Sequence, residues 1–127
     1  MKTIPTFLLF GLAFIFYLAP AQEKDAVAQA KIVKQMKEGV LELNATCISQ
    51  TPKKLQLRYE MEIEKKGKSG SSKNKQSGEF EMQGKETKTL AVNKFNMNSK
   101  DHFDITLHIF QADEVIATDQ LTFTIKN

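Results

Sequence analysis

The chain of 127 residues has one cysteine, no tryptophan, two histidines, three prolines and six glycines. A single cysteine excludes an intramolecular disulfide and a zinc site built from several thiolates. Without tryptophan, the Cys…Trp…Cys set of antibody domains is also excluded. So little proline and glycine excludes a collagen-like or low-complexity chain. The formal net charge of +3 is too small for a protein whose main ligand is nucleic acid, so we expect no nucleic-acid partner.

The first 21 residues have the layout of a secretory signal peptide. Lys2 gives a positive start, an apolar run extends over 7–18, and the small residues of Ala19-Pro20-Ala21 precede a cleavage point before position 22. The alternative is a transmembrane anchor, which needs about 20 apolar residues. The stretch 4–21 is barely that long, and acidic residues follow it. We therefore expect an exported protein that makes no contact with the membrane once the signal peptide is removed.

Apolar and polar residues alternate along most of the remaining chain, which is the pattern of half-buried strands. Residues 22–29 are predicted to be a flexible lead-in, and 30–127 to form one domain of about seven strands. The segment from Lys65 to Lys75 is predicted to be a loop in which Gly67 and Gly70 are free to adopt a positive φ. The strand count favours an all-β, immunoglobulin-like antiparallel β-sandwich, with a small barrel as the alternative. The clearest strand alternates its apolar residues without exception, at Leu55, Leu57, Tyr59, Met61 and Ile63.

Candidates for catalysis are few. His102 and His108 lie on one face of a predicted strand, about 20 Å apart at the rise of a strand, which is too far for one metal ion. Cys47 shares the inward register of its strand and is predicted to be a buried small hydrophobe, with a redox or intermolecular-disulfide role as the alternative. We expect no catalytic residue, no metal and no cofactor, and the chain is predicted not to be an enzyme. A small enzyme that uses unrecognised surface residues is the alternative.

Charge is distributed unevenly along the chain. Residues 53–75 contain eight basic residues and three glutamates, whereas 101–119 contain five acidic residues and no lysine or arginine. A charged surface of this kind speeds the encounter with an oppositely charged partner and orients it. A solvated loop is the alternative interpretation. The predicted partner-binding residues are Arg58, Lys65, Lys66, Lys68, Lys73 and Lys75.

Several segments carry a family likeness. YEMEIEKKGKSG (59–70) and QSGEF (76–80) are followed by TLAV (89–92), NMN (96–98) and DHFD (101–104). Together they resemble the CsgC/CsgH family of curli assembly proteins, in particular its CsgH-like branch, over roughly residues 39–123. The Cys-X-Cys pair of the enteric CsgC branch is absent, because the comparable strand reads Cys47-Ile48-Ser49. This difference argues against a thiol redox function.

The resemblance implies a periplasmic chaperone that keeps curli-type amyloid subunits from polymerising before export. Combined with the charge distribution, it predicts that the six basic residues make weak, transient contacts with early subunits, whose fibres grow by adding strands to an exposed edge. Pairing through an exposed edge strand of the chaperone is the second possible mechanism. We expect a monomer. The alternative function is a generic exported β-sandwich that binds a protein or glycan partner.

Overall fold

A computed structural model describes residues 27–68 and 70–126. The predicted signal peptide, residues 1–21, and positions 22–26 of the predicted lead-in lie outside the described residues. The described ranges form seven strands, and they contain no helix that is long and apolar enough to cross a membrane.

All strand pairs are antiparallel, and the strands form two sheets. The three-stranded sheet has the order β1-β2-β5 and the four-stranded sheet the order β4-β3-β6-β7. The prediction of an all-β, immunoglobulin-like sandwich is confirmed, and two separate sheets exclude the closed barrel. Strand β1 begins two residues before the predicted start of the domain. The strands are β1 (Ala28–Lys37), β2 (Val40–Ser49), β3 (Leu55–Gly67), β4 (Gly70–Met82), β5 (Thr87–Asn96), β6 (His102–Gln111) and β7 (Glu114–Thr124).

The core lies between the two sheets and is built from alternate residues of each strand. Met61 of β3 and Ile105 of β6 are fully buried on the inner face of the four-stranded sheet. Leu41 and Leu43 of β2 are fully buried opposite them. Because side chains point to opposite faces at successive positions, this register sends the intervening polar residues to solvent. The inward registers predicted for β2 and β3 are confirmed.

The prediction of a loop from Lys65 to Lys75 is wrong. Strand β3 continues to Gly67, β4 begins at Gly70, and the two strands stay paired without a register shift as far as this Gly67–Gly70 pair. Glycine, serine and lysine are poor residues for a buried strand. Strand β4 is an edge strand whose side chains are largely exposed, so the backbone ladder to β3 is sufficient to extend it.

Gly67 and Gly70, at this hairpin end, are required for different structural reasons. Gly70 has the predicted positive φ, at 120°. The φ of Gly67 is not positive; a Cβ there would instead collide with the carboxylate of Asp101, which is buried. Gly67 is therefore required by a close approach between β3 and the start of β6, whereas Gly70 is required by backbone conformation.

The edges of the two sheets meet on both sides of the sandwich. On one side, the backbone N–H of Ile32 in β1 donates to Asp119 Oδ2 of β7 at 2.7 Å. On the other side, Lys88 Nζ of β5 donates to the backbone oxygen of Glu81 in β4 at 2.7 Å. A carboxylate or an ammonium group thus occupies backbone groups that an added strand would otherwise use.

Candidate functional site

The candidate site is the solvent-facing side of the four-stranded sheet, which we call the outer face. The even-numbered residues of β3 point to this face, because the odd-numbered ones pack into the core. Directly opposite residues on β4 and β6 share it, since paired residues lie on the same side of a sheet. Its charged members along these three strands are Arg58, Glu60, Glu62, Glu64, Lys66, Lys73, Lys75, Glu79, Glu81 and Asp104.

The structure brings four of the six predicted partner-binding residues onto the outer face and separates the other two from it. Lys65 has the inward register, and its Nζ lies 3.9 Å from Oδ2 of the buried Asp101. Lys68 is exposed in the turn between β3 and β4. The four residues on the outer face are Arg58, Lys66, Lys73 and Lys75.

Glutamates lie between these basic residues. Lys73 Nζ is 3.1 Å from Glu62 Oε2. This hydrogen bond, followed by the charges of Glu62 and Glu64, raises the pKa of Lys73. Lys66 and Lys75 make no ion pair within 4 Å among the residues that the structure describes. The excess of positive charge counted along the sequence is therefore partly neutralised on the face. One unpaired lysine, Lys66, lies near the hairpin end, and the other, Lys75, lies opposite Glu62.

Arg58 lies at the opposite end of the outer face. Its guanidinium is 2.8 Å from Glu60 Oε2, and the hydrogen bond from Arg58 is the main cause that lowers the pKa of Glu60. Its central carbon also lies 4.0 Å from the ring centroid of Phe110, the residue directly opposite on β6. Such stacking is a cation–π contact. Arg58 is thus held in place by two neighbours, unlike the lysines at the hairpin end.

A groove of about 350 Å³ crosses the middle of the outer face. Glu60, Glu62, Glu64 and Asp104 line it, with Lys75 at its side, and Glu64 lies directly opposite Asp104. The groove is therefore acidic, whereas the hairpin end beside it is basic. The described residues contain no cluster of three or more histidine, cysteine or carboxylate side chains suited to a metal ion.

The two histidines lie on the outer face, as their even spacing predicts. His102 Nδ1 is 2.8 Å from Thr124 Oγ1, and its Nε2 is 3.8 Å from Asp104 Oδ2. His108 packs beside Phe110, with 6.2 Å between the ring centroids. Each histidine has its own set of neighbours, so the pair does not form one site.

The buried Cys47 has no part in the outer face. Its side chain is fully buried on the inner face of β2, and burial raises the pKa of its thiol to about 11. The thiol therefore stays protonated near neutral pH, and thiolate is the form that reacts. The prediction of a buried small hydrophobe is confirmed.

Sequence reasoning missed a polar clasp between the two sheets. Gln76 Nε2 of β4 donates to Asn93 Oδ1 of β5 at 2.6 Å, and Asn93 Nδ2 donates back to Gln76 Oε1 at 3.3 Å. Gly78, two residues further on, lies opposite Tyr59, and a Cβ there would come within 3.1 Å of the tyrosine ring. The Gln-Ser-Gly segment thus closes the side of the sandwich formed by β4 and β5. An asparagine at an inward position of β5 is the signal in the sequence.

Comparisons with known proteins add a likeness of fold. No protein-family model and no curated protein matches the chain. The E. coli curli protein CsgC is similar in structure, with a TM-score of 0.62 and 14% identity over 73% of this chain and 96% of that protein. R. palustris CsgH is similar with a TM-score of 0.59 and 17% identity over 72% of this chain and 89% of that one.

The same sandwich also occurs inside a large enzyme. Bacteroides uniformis beta-glucuronidase 2 matches with a TM-score of 0.54 and 8% identity, over 78% of this chain but 14% of the enzyme. A fold shared by such different proteins does not by itself carry a function. The CsgC and CsgH matches differ in that they extend over nearly the whole of the other protein. The resemblance noted in the sequence is thereby confirmed in three dimensions, and the chain has the fold of the curli proteins CsgC and CsgH.

Proposed function

We propose that the protein is a periplasmic chaperone that delays amyloid polymerisation of curli-type fibre subunits during their export. The observation that carries this proposal is the match to two curli proteins over 96% and 89% of their lengths. The sequence segments that resemble the CsgC/CsgH family support it independently. The export part of the proposal rests on the signal-peptide layout of residues 1–21.

The contacts with subunits are electrostatic and transient. Lys66 presents an unpaired charge at the hairpin end, Lys68 lies in the turn there, and Lys75 presents a second unpaired charge beside the groove. Lys73 forms an ion pair with Glu62. Charges in such positions raise encounter rates and orient a partner more than they add affinity. Because they act within about 8 Å at physiological ionic strength, a subunit must come close to be held.

The mechanism requires no reaction, cofactor or ATP. Amyloid growth starts from rare early species whose strand edges are still open. A chaperone that meets such species quickly and often, and hinders their conversion at each brief contact, reduces the number that start fibres even when it is scarce relative to the subunits. The protein acts as a monomer on one early species at a time.

The alternative is an exported β-sandwich module that binds a protein or glycan partner unrelated to amyloid. The occurrence of the same sandwich as a small part of a beta-glucuronidase favours this alternative. It predicts a long-lived complex of ordinary stoichiometry, whereas the chaperone proposal predicts contacts too brief to isolate.

Fibre growth by a curli-type major subunit, followed with thioflavin fluorescence, separates the two functions. One reaction starts from monomer and a second from preformed seeds, each with the chain from position 22 at one molecule per 20 subunits. We expect a longer lag in the unseeded reaction, little change in the seeded one, and no complex on size exclusion. A stable complex together with an unchanged lag would support the generic module instead.

A further inference from the structure

The outward-facing backbone of β4 is a little-used hydrogen-bonding surface among the described residues. Strand β4 has 13 residues and pairs with β3 on one side alone. Residues 70–75 are all exposed, and Lys73 among them forms an ion pair with Glu62 on the outer face. Strand β5 of the other sheet approaches β4 near Glu81, where Lys88 donates a hydrogen bond to the Glu81 backbone oxygen. Before this contact, β5 reaches β4 through the side-chain pair of Gln76 and Asn93, but no hydrogen bond among the described residues occupies the outward backbone groups of β4 there.

The residues that present their backbone outward can be assigned from two observations. The Glu81 backbone oxygen accepts from Lys88 of β5, so it points away from β3. In an antiparallel pair, the direction alternates from one residue to the next. The two-residue connection between Gly67 and Gly70 leads to the same assignment. A hydrogen-bonded pair closes such a hairpin, so the backbone groups of Gly70 point to β3 and those of Ser71 point away. The residues with outward N–H and C=O groups, here called the free edge, are Ser71, Lys73, Lys75, Ser77 and Glu79.

No hydrogen bond among the described residues reaches the backbone of the free edge. The contrast with the other side of the sandwich is clear. There the carboxylate of Asp119 accepts from the backbone N–H of Ile32 at 2.7 Å and so occupies one outward group of β1. A row of unpaired N–H and C=O groups is a template for an added strand.

Charge selects what can be added. Lys73 and Lys75 belong to the free edge, and their side chains point to the outer face. A second copy of β4 aligned with Lys75 opposite Lys75 would bring like charges together, which is unfavourable on neighbouring strands. A strand with acidic residues at alternate positions would instead place carboxylates beside Lys73 and Lys75.

We propose that the free edge of β4 binds an extended acidic polypeptide segment as a fifth strand of the four-stranded sheet. That the natural segment comes from a fibre subunit rests on the proposed function. The binding of such a segment to the free edge does not. Backbone hydrogen bonds hold the segment in register, and Lys73 and Lys75 favour acidic residues on the outer face. The segment covers the outward groups between Ser71 and Glu79.

Amide hydrogen exchange tests the inference without any fibre assay. The probe is a capped peptide of nine residues in which valine and glutamate alternate, and the control peptide has lysine in place of glutamate. At a peptide concentration ten times the measured Kd, we expect exchange to slow roughly tenfold at the amides of the free edge. The intervening amides, which already bond to β3, should change little. This alternation distinguishes strand addition from charge contact with the outer face.

A backbone variant provides the second test. Ser77→Pro removes one outward N–H and leaves the ladder to β3 intact, because proline is tolerated where the N–H faces away from the sheet. Ser77→Ala keeps the N–H and serves as the matched control. We expect Ser77→Pro to weaken binding of the glutamate peptide at least tenfold and Ser77→Ala to change it less than twofold. An unchanged pattern of exchange at the β3–β6 amides confirms that the variant is folded.

Four outcomes would overturn the inference: equal binding by Ser77→Pro, equal binding of the lysine peptide, protection that does not alternate along β4, or dimerisation of the chain through β4. Failure of the proposed function appears separately, because a protein that protects the free edge with peptide but leaves fibre lag unchanged keeps the inference and loses the function. A protein that prolongs the lag without alternating protection does the reverse.

Discussion

Two lysines of the outer face without an ion-pair partner, one at the hairpin end and one beside the groove, allow a quantitative test of the electrostatic mechanism. The perturbation is Lys66→Gln with Lys75→Gln, which removes the two outer-face charges that have no ion-pair partner within 4 Å among the described residues. The matched control is Lys31→Gln with Lys94→Gln on the solvent side of the three-stranded sheet, where both lysines are also exposed. Both variants lower the net charge equally, so a difference between them reports the position of the charge.

The expected magnitude follows from two charge contacts. At separations of about 6 Å in water, two such contacts are together worth roughly sevenfold in affinity at 0.01 M salt. Screening reduces the figure to roughly threefold at 0.15 M salt, where the Debye length is about 8 Å. The assay measures how much protein is required to double the lag of fibre formation.

We expect the amount of Lys66→Gln, Lys75→Gln protein required to double the lag to rise roughly sevenfold at low salt and roughly threefold at physiological salt. The control variant should behave like the original protein at both salt concentrations. Equal losses in the two variants would mean that total charge, and not this surface, matters. If reversing Lys66, Lys73 and Lys75 to glutamate leaves inhibition intact at low salt, the electrostatic reasoning is refuted.

Three further predictions concern stability. Asn93→Leu leaves the amide of Gln76 without its partner between the sheets, so we expect a loss of about 1–3 kcal/mol in urea unfolding, partly restored by adding Gln76→Met; no loss would show that the clasp is unimportant. The raised pKa of Cys47 means that the folded state holds the thiol proton more tightly, so about 2–3 kcal/mol of stability present below pH 9 should be lost as the pH rises to about 11. The variant Cys47→Ala should lack this part of the pH slope, and equal slopes would contradict the assignment. Gly67→Ala drives a methyl group into the carboxylate of Asp101 and should cost about 1–3 kcal/mol by thermal unfolding, and an unchanged melting temperature would contradict this.

The sequence predicts the interior of the sandwich well because burial imposes a period of two. Strand β3 alternates apolar and polar residues from Leu55 to Glu64, and its odd-numbered side chains pack inward as predicted. The inward register of β2, with Cys47 fully buried, follows from the same rule. Alternation of this kind survives in any strand that has one face in a core.

The first half of β4 could not be predicted in this way. An edge strand with both faces near solvent carries no alternation, and the glycine, serine and lysine residues of 67–75 resemble a loop by composition. Backbone hydrogen bonds to β3 extend this strand, and such backbone pairing does not require particular side chains. Composition also does not show which charges lie together, and strand pairing places Glu62 beside Lys73.

The polar clasp shows a third limit of sequence reasoning. Gln76 and Asn93 are 17 positions apart, and the pairing of their amides depends on how two edges of different sheets meet. Asn93 stands out as a polar residue at an inward position of β5, but nothing in β4 marks Gln76 as its partner. Their role becomes visible when both inward registers and the stacking of the sheets are known.

The most direct test of the central claim is the lag of unseeded fibre formation by a curli-type major subunit as the ratio of protein to subunit is varied. The account predicts a lag prolonged severalfold at one molecule of the chain per 20 subunits, a ratio at which simple sequestration of monomers would have little effect. A lag that stays unchanged even at equal amounts would contradict the chaperone function.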